Sequence, residues 1–271
     1  MNVFRFFNIL REALQRGLIR LPFVPGLDAW IRAQRDRLSG RELEVGLLRH
    51  IVDPSKDSVD VGAHRGIYTY WLRKYSRHVF AYEPSPGNFR FLAPLKGNVT
   101  ARMCALSKEN GTATFRLPVR PVRGGKGGKD PGLHEVDSYG GTLHPSKDLK
   151  DFVEISVETR RLDDEGLRDI GFMKIEAEGH EMEVVEGARQ LIARERPVMQ
   201  IAIKDEFTKK SVPDAVAEIE ALGYVAYGLT INGLKPFFQL DPAVNFTRAL
   251  APGVFIKNFI FFPRPEGPAE K

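Results

Sequence analysis

Residues 57–84, DSVDVGAHRGIYTYWLRKYSRHVFAYEP, contain the pattern on which the fold prediction rests. An apolar run ends at Asp60, a glycine turn follows from Gly62 to Gly66, and a segment with helical spacing leads to a second apolar run, 79–82. This order of strand, glycine turn, helix and strand is typical of a nucleotide-binding half of a doubly wound sheet. In such a sheet, ligands bind at the carboxyl ends of the strands.

The residues around the glycine turn indicate which nucleotide would bind. Glu83 ends the second apolar run, about twenty residues after the turn, where an acid can accept hydrogen bonds from both hydroxyls of a ribose. A dinucleotide site usually has G-x-G-x-x-G, whereas this turn has D-x-G-x-x-x-G, beginning at Asp60. S-adenosylmethionine has no phosphate, and its ammonium and carboxylate suit an acid and loop N–H groups. The pattern favours S-adenosylmethionine, although a turn that serves only packing has the same sequence.

The composition of the 271-residue chain fits one large α/β domain with an appendage, and its net charge of +5 is modest. No basic run alternates with aromatic side chains, so we expect no nucleic-acid partner. Cys104 is the only cysteine, which excludes an internal disulfide and a cysteine-based zinc site, and we expect no bound metal. The N-terminus lacks a secretory signal pattern and no apolar stretch is long enough to span a bilayer, so we expect a cytoplasmic protein.

Residues 1–52 are predicted to form an N-terminal helical cap. Apolar side chains recur near helical spacing in its first part, namely Phe4, Phe7, Leu10, Leu14 and Leu18. Arginines lie on the other faces of this helix, and three interpretations stay open. The helix packs on its own domain, it contacts a second copy in a homodimer, or it makes a peripheral contact with the inner membrane surface.

Strands and helices alternate over the rest of the chain, which predicts a mostly parallel sheet with helices on both faces in a domain of residues 53–263. Residues 99–105 are predicted to be its third strand, with an end near the adenine. A glycine-rich segment at about 120–149 is interpreted either as a lid loop over the substrate site or as plain disorder. Residues 264–271 are predicted to be a flexible tail.

A second group of polar residues, Glu176, Glu178 and His180, follows a predicted strand at 172–175 and should face the same crevice as the glycine turn. Methyl transfer from a sulfonium to a hydroxyl is an in-line displacement, so an enzyme must hold the acceptor oxygen and remove its proton. A histidine or a partly buried carboxylate at this position can be that base. The alternative is that the two glutamates only oppose the dipole of the following helix.

Six segments occur in order over about residues 57–262: VDVGAHRGIYTYWL, AYEPSPGNFRFL, ALSKENGTATF, LDDEGL, MKIEAEGHEMEVVEGA and NFIFFP. Together they resemble the FkbM family of S-adenosylmethionine-dependent methyltransferases. The glycine turn and the KIEAEGHE segment are the most specific parts. The family pattern usually has Asp at the position of Glu176, so the carboxylate is kept with a longer reach.

The resemblance implies an α/β, Rossmann-like class I methyltransferase fold with a mostly parallel, seven-stranded twisted sheet. It also implies S-adenosylmethionine as cofactor and O-methylation of a hydroxyl on a sugar, glycan or secondary metabolite. The acceptor, a small molecule or a glycan, would face the catalytic candidates Glu176, Glu178 and His180. The cofactor would be lined by Asp60, Gly62, Ala63, His64, Gly66, Glu83, Pro84, Ala105 and Leu106. An NAD-dependent oxidoreductase and a non-catalytic scaffold that keeps the fold stay open as alternatives.

Overall fold

Two β-sheets form the framework of the protein in a computed structural model, which describes residues 43–123, 129–136, 141–143, 151–204, 210–230, 232–245 and 256–265. The strands are β1 (Asp57–Val61), β2 (Val79–Tyr82), β3 (Val99–Arg102), β4 (Ala105–Leu106), β5 (Gly111–Arg123), β6 (Lys129–Val136), β7 (Phe152–Arg160), β8 (Ile170–Ile175), β9 (Val198–Ala202), β10 (Tyr224–Thr230), β11 (Gly233–Pro236) and β12 (Asn258–Pro263). The α-helices are α1 (Leu48–Ile51), α2 (Ile67–Tyr75), α3 (Pro86–Leu92), α4 (Glu181–Glu186), α5 (Arg189–Glu195), α6 (Val212–Glu220) and α7 (Pro242–Asn245).

The larger sheet has eight strands in the order β11-β10-β12-β9-β8-β1-β2-β3. From β9 to β3 all neighbouring strands are parallel, whereas β12 is antiparallel to both of its neighbours. The prediction of a mostly parallel sheet is confirmed, but the predicted number of seven strands is wrong. The additional strand is β11, which follows β10 closely in the chain and pairs antiparallel with it at the edge of the sheet.

Helices cover both faces of this sheet, as predicted. On one face α2 contributes Trp71 and Leu72 to a buried cluster. On the other face Ile192 of α5 and Val216 of α6 pack in a second cluster that includes Val59 of β1. All five residues of β1 are buried, as expected for a strand covered on both faces, although three of them, Asp57, Ser58 and Asp60, are polar.

The carboxyl ends of the parallel strands meet at one edge of the larger sheet. The glycine turn follows β1, Glu83 follows β2, and the loop 176–180 follows β8. Because β2, β1 and β8 are adjacent and parallel, these three segments lie side by side. This edge is where ligands bind in open α/β sheets.

The smaller sheet has four strands in the order β4-β7-β5-β6. Its strand β4 consists of Ala105 and Leu106 and runs parallel to the end of β7. The predicted third strand at 99–105 is therefore wrong at its end. β3 stops at Arg102 in the larger sheet, and the chain then enters the smaller sheet.

Part of the predicted lid loop is a β-hairpin. Strand β5 extends to Arg123 and pairs antiparallel with β6, with Val119 opposite Val136. The prediction of a loop across 120–149 is thus wrong for the residues in these two strands. Thr142 forms a bridge with β5. The rest of the segment, namely 124–128, 137–140 and 144–150, lies outside the described residues.

The predicted cap and tail are described only in part. Residues 1–42, which include the predicted amphipathic helix, lie outside the described residues, while 43–51 hold a 3₁₀ turn and α1. In the predicted flexible tail, the Arg264 N–H donates a hydrogen bond of 2.8 Å to the Gly223 carbonyl, so the tail is anchored at its first residue. Across the described ranges no helix is long and apolar enough to cross a bilayer. The domain boundaries stay predictions.

Candidate active site

Glu83 directly follows β2, and its carboxylate is buried against the glycine turn. One carboxylate oxygen accepts a hydrogen bond of 2.8 Å from the His64 N–H, and the other accepts one of 2.9 Å from the Ser85 N–H. Asn88 Nδ2 lies 3.4 Å from the second oxygen. Burial raises the pKa of Glu83, and the hydrogen bonds to its ionised form offset part of this effect. The acid and the turn are therefore held together as one unit.

The glycine turn is tight because three of its residues have a left-handed backbone conformation. The φ angles are 65° at Gly62, 53° at His64 and 83° at Gly66. The Ala63 N–H donates to the Tyr82 carbonyl at 3.0 Å, which ties the turn to β2. A non-glycine residue in this conformation is uncommon and occurs preferentially in functional loops, so His64 marks the turn as a candidate ligand site.

Both glycines of the turn are also needed for packing. A Cβ on Gly62 would lie 1.8 Å from the Glu176 carbonyl oxygen, and a Cβ on Gly66 would lie 2.9 Å from Leu92 Cδ2. Larger residues would therefore displace either the loop after β8 or helix α3. The structure supports the packing interpretation of the pattern, and the cofactor interpretation stays a prediction.

Asp60 lies below the glycine turn, in the interior of the protein. Its side chain is fully buried, and Thr69 Oγ1 donates a hydrogen bond of 2.6 Å to Oδ2. The other oxygen, Oδ1, lies 3.7 Å from Lys174 Nζ. Burial raises the pKa of Asp60, and the charge of Lys174 lowers it in part. The predicted contact of Asp60 with a cofactor stays a prediction, since its observed partners are α2 and β8.

Lys174 is a buried lysine to which the sequence prediction assigned no role. Its Nζ donates hydrogen bonds to the carbonyl oxygens of Val61 at 3.3 Å and Gly62 at 3.0 Å. It also lies 3.7 Å from Asp60 Oδ1 and 3.5 Å from Glu176 Oε2. A signal for it was present in the sequence, because a lysine near the end of the apolar run IGFMKI has no water to face once the strand is buried on both sides.

Glu176 is surrounded by lysines from three different strand ends. Its carboxylate oxygens lie 3.5 Å from Lys174 Nζ, 3.8 Å from Lys204 Nζ and 3.9 Å from Lys257 Nζ. Burial alone would raise the pKa of Glu176, but the three lysines, Lys174 foremost, lower it to about 2. A carboxylate this acidic is a weak base near neutral pH, so Glu176 suits the positioning of a substrate better than proton removal.

The loop after β8 also contacts the segment that was predicted to be a lid. Glu178 has a left-handed backbone with φ 47°, and its carboxylate lies 3.3 Å from Lys204 Nζ. Its carbonyl oxygen accepts a hydrogen bond of 2.8 Å from Thr142 Oγ1. Because Thr142 is buried and lies within the glycine-rich segment, that segment is part of the wall of the site at this point.

His180 is the third catalytic candidate, and it is placed by the smaller sheet. Its Nε2 lies 2.9 Å from Ser107 Oγ, and its Nδ1 lies 3.7 Å from Glu183 Oε2. Ser107 directly follows Ala105 and Leu106 of β4. The sequence prediction missed Ser107, although it belongs to the ALSKENGTATF segment that carries part of the family resemblance.

Glu181 holds the loop that carries the three catalytic candidates. Its carboxylate accepts hydrogen bonds from the Ala177 N–H at 2.8 Å and from the Gly179 N–H at 3.0 Å. Burial raises the pKa of Glu181 to about 7, although these hydrogen bonds favour its ionised form. The sequence prediction placed Glu181 at a helix start without a role, since the backward contacts depend on the loop geometry.

The remaining predicted cofactor residues are Pro84, directly after Glu83, and Ala105 and Leu106, which form β4 of the smaller sheet. Pro84 is partly exposed next to Glu83. Ala105 and Leu106 are buried, with exposed fractions of 5% and 3%. Their contact with a cofactor stays a prediction. Among the described residues, no three His, Cys, Asp or Glu side chains converge as the ligands of a metal ion would.

Comparison with known proteins assigns the family. A sequence profile described as "Methyltransferase FkbM domain" matches residues 60–226, which is more than half of the chain. The chain belongs to the FkbM methyltransferase family. The matched range starts at Asp60 and includes the glycine turn, Glu83, Lys174 and the loop after β8.

Individual relatives of this FkbM-family chain are distant, and the chain spans about half the length of the first two described here. "Methyltransferase 1" of Beauveria bassiana (strain ARSEF 2860) is 29% identical over 147 residues, which cover 48% of this chain and 57% of the relative. The solved structure of an FkbM methyltransferase from Methylobacillus flagellatus KT is 17% identical, with a TM-score of 0.47 over 78% of this chain and 44% of that chain. A TehB-like SAM-dependent methyltransferase from Corynebacterium glutamicum is 10% identical, with a TM-score of 0.44 over 88% and 97% of the two chains.

The residues at the strand edge fit S-adenosylmethionine, the methyl donor that the family implies. A carboxylate has about four acceptor positions, and three protein donors surround that of Glu83, which leaves capacity for a ribose hydroxyl. Asp60 Oδ1 is buried without a hydrogen bond from any described residue, next to the turn that would receive the methionyl end. The site thus has an acid with acceptor capacity left at Glu83 and a buried carboxylate, Asp60, beneath the glycine turn.

Proposed function

We propose that the protein is an S-adenosylmethionine-dependent O-methyltransferase that acts on a hydroxyl of a sugar, glycan or secondary metabolite. The observation that carries this proposal is the backbone contact between Gly62 and Glu176. It brings the segment suited to the cofactor against the segment suited to the acceptor, at the edge where ligands bind in such sheets.

On the cofactor side, Glu83 would accept hydrogen bonds from the ribose, and the turn around His64 would enclose the methionyl end. The bound cofactor would supply an activated methyl group on a positively charged sulfur. Glu83 is pre-oriented for its role, because the His64 and Ser85 N–H groups fix its carboxylate without using all of its acceptor positions.

On the acceptor side, the charge states of the candidates suggest different roles. Glu176 stays ionised and would hold the acceptor hydroxyl as a hydrogen-bond acceptor. His180 would remove the hydroxyl proton, since an imidazole is suited to proton transfer near neutral pH. Ser107 Oγ, at 2.9 Å from Nε2, would set the orientation of the ring. Lys204 and Glu178 form an ion pair that can hydrogen-bond to further hydroxyls of a polyol.

Transfer of a labelled methyl group tests this proposal directly. The purified protein would be incubated with methyl-labelled S-adenosylmethionine and with separated envelope glycans, lipids, small molecules and RNA from cells that encode it. Label in the glycan, lipid-linked or small-molecule fraction supports O-methylation of a hydroxyl compound, and alkali-stable label distinguishes an ether from an ester. Label in RNA would overturn the acceptor class.

A binding experiment tests the cofactor separately from the acceptor. Isothermal titration with S-adenosylhomocysteine and with NAD should give binding of the first and not of the second. Preference for NAD would favour an oxidoreductase instead. Binding of S-adenosylhomocysteine without transfer to any fraction would favour a non-catalytic scaffold.

A further inference from the structure

Lys174 connects the two halves of the proposed site from below. Its side chain is 5% exposed, and it stands on β8 beneath both the glycine turn and Glu176. The ammonium donates hydrogen bonds to two carbonyl oxygens of the cofactor-side segment and forms ion pairs with one carboxylate on each side. Among the described residues, the Lys174 side chain therefore makes polar contacts with both the glycine-turn segment and the loop after β8.

The hydrogen bonds of Lys174 fix two consecutive peptides at the start of the glycine turn. In a planar trans peptide the C=O and N–H groups point in opposite directions. The Val61 and Gly62 carbonyls are drawn toward Nζ, so the N–H groups of Gly62 and Ala63 point away from the lysine. The Ala63 N–H reaches the Tyr82 carbonyl in this way. Lys174 therefore helps to orient both peptides, together with the Glu176 N–H, which donates a hydrogen bond of 3.2 Å to the Val61 carbonyl. It fixes the start of the turn that would enclose the proposed methionyl end.

The position of Lys174 is itself held from a third side. Its Nζ lies 5.3 Å from the centroid of the Tyr68 ring, within the range of a cation–π contact. The Tyr68 hydroxyl accepts a hydrogen bond of 2.7 Å from Gln200 Nε2, and Gln200 is buried on β9. The ammonium is thus located by α2, β1, β8 and, through Tyr68, by β9.

We infer that Lys174 is a positioning residue for the methionyl half of the cofactor, acting through the Val61 and Gly62 peptides, and that it links this half to Glu176. The inference rests on the proposed function, since it assumes S-adenosylmethionine at the glycine turn. It assigns no contact with the ribose, because the hydrogen bonds to Glu83 come from His64, Ser85 and Asn88, whereas Lys174 acts on Glu83 through its charge.

Two ligands that differ only at the methionyl end test this inference. S-adenosylhomocysteine carries the amino and carboxylate groups, whereas 5′-methylthioadenosine lacks them. Lys174→Met should raise the Kd of S-adenosylhomocysteine about tenfold or more, since the two charge-assisted hydrogen bonds that orient the Val61 and Gly62 peptides are lost. The Kd of 5′-methylthioadenosine should stay within about threefold of the wild-type value, because the ribose contacts are intact.

Two controls separate positioning from stability. Met173→Ala removes a fully buried neighbour on the same strand, so it lowers the melting temperature without touching the loop carbonyls. It should leave both Kd values within about threefold of wild type. If Lys174→Met does not fold, the double variant Asp60→Asn/Lys174→Met is used, because it also removes the Asp60 carboxylate that has lost its partner. The double variant is compared with Asp60→Asn alone. The double variant should bind S-adenosylhomocysteine about tenfold more weakly than Asp60→Asn.

The possible results distinguish a failure of the Lys174 inference from a failure of the proposed function. A selective loss of S-adenosylhomocysteine binding in the Lys174 variants supports the inference. Equal losses for both ligands, or no loss for either, overturn it and leave the proposed function standing. Wild-type protein that binds neither ligand overturns the proposed function and the inference together.

Discussion

Gly62 and Glu176 are in backbone contact, and a Cβ on Gly62 would stand 1.8 Å from the Glu176 carbonyl oxygen. The two residues belong to loops that follow adjacent parallel strands, β1 and β8. The cofactor-side and acceptor-side segments are therefore related by a fixed backbone distance, not by a flexible side chain. A change at this contact should move one segment relative to the other.

Gly62→Ala tests this contact. The added Cβ meets a backbone atom that cannot rotate away, and φ at Gly62 is 65°, which strains any other residue. We expect the free energy of unfolding to fall by more than about 2 kcal/mol and S-adenosylhomocysteine binding to weaken at least about tenfold. Urea unfolding and isothermal titration measure the two effects.

Gly233→Ala is the control for Gly62→Ala. Gly233 also has a left-handed backbone, with φ 98°, but its Cβ would meet no atom within 4 Å. Gly233→Ala should lower the free energy of unfolding through backbone strain but leave the affinity for S-adenosylhomocysteine unchanged. Equal binding losses in the two variants would mean that strain, not the contact with Glu176, explains the effect.

Glu83→Gln tests the ribose role of the acid after β2. The amide keeps the size of the side chain but loses the negative charge that strengthens hydrogen bonds from hydroxyl groups. Hydrogen bonds to charged groups contribute about 1.5–3 kcal/mol, so we expect S-adenosylhomocysteine to bind about ten- to hundredfold more weakly. Glu195→Gln is the matched control, since Glu195 also accepts a backbone hydrogen bond, of 2.9 Å from the Asp169 N–H. Unchanged affinity in Glu83→Gln would contradict the ribose role.

The strand–turn–helix–strand unit could be predicted because its signals are local. The strand-like runs of β1 and β2, the two glycines of the turn and the helical spacing of α2 all occur within residues 57–84. The end of the third strand could not be predicted in the same way. Residues 99–106 form a mostly apolar segment, but the chain changes sheets within it, and hydrophobicity does not record which sheet a strand joins.

The roles of Lys174 and Glu181 depend on contacts that the sequence pattern does not show. The hydrogen bond from Lys174 to the Val61 carbonyl joins residues 113 positions apart. The Ala177 and Gly179 N–H groups that donate to Glu181 are close to it in sequence. These contacts nevertheless require the left-handed backbone at Glu178 and Gly179. The eighth strand, β11, was missed because it has four residues and contains both a glycine and a proline.

His180→Ala tests the proposed general base. Loss of proton removal should lower the rate of methyl transfer by about a hundredfold or more, while S-adenosylhomocysteine affinity stays within about threefold. The rate is measured as label entering the responsive fraction at saturating cofactor. His50→Ala, at an exposed histidine on α1, should change neither quantity. Parallel losses of rate and affinity in His180→Ala would instead indicate a cofactor or folding role.

Ser107→Ala tests the orientation of the His180 ring. Removal of the hydroxyl at 2.9 Å from Nε2 leaves the imidazole in place but frees its rotation and tautomer. We expect a smaller loss of rate than in His180→Ala, on the order of tenfold, with unchanged cofactor affinity. Ser107→Thr, which keeps the hydroxyl, should recover part of the rate. A loss as large as that of His180→Ala would indicate that Ser107 itself contacts the acceptor.

Glu181 should make the stability of the protein depend on pH. Burial raises its pKa to about 7 from an ordinary value of 4.5, so the folded protein binds this proton more tightly than the unfolded chain. The stabilising contribution is fully present below pH 4.5 and is lost as the pH rises through 7. A shift of this size corresponds to a contribution on the order of 3 kcal/mol.

Glu181→Gln removes this titration while an amide oxygen still accepts from the Ala177 and Gly179 N–H groups. At pH 8 we expect the free energy of unfolding of the variant to exceed that of the wild type by on the order of 3 kcal/mol. This difference should decrease as the pH falls and vanish toward pH 4.5. Urea unfolding over pH 4.5–8 measures both proteins, and subtraction cancels the groups that they share. Glu186→Gln, at an exposed position of the same helix, is the control for the loss of a carboxylate from α4. A wild type that gains stability relative to Glu181→Gln as the pH rises would show that the hydrogen bonds from the Ala177 and Gly179 N–H groups outweigh burial and that the carboxylate is ionised throughout this range.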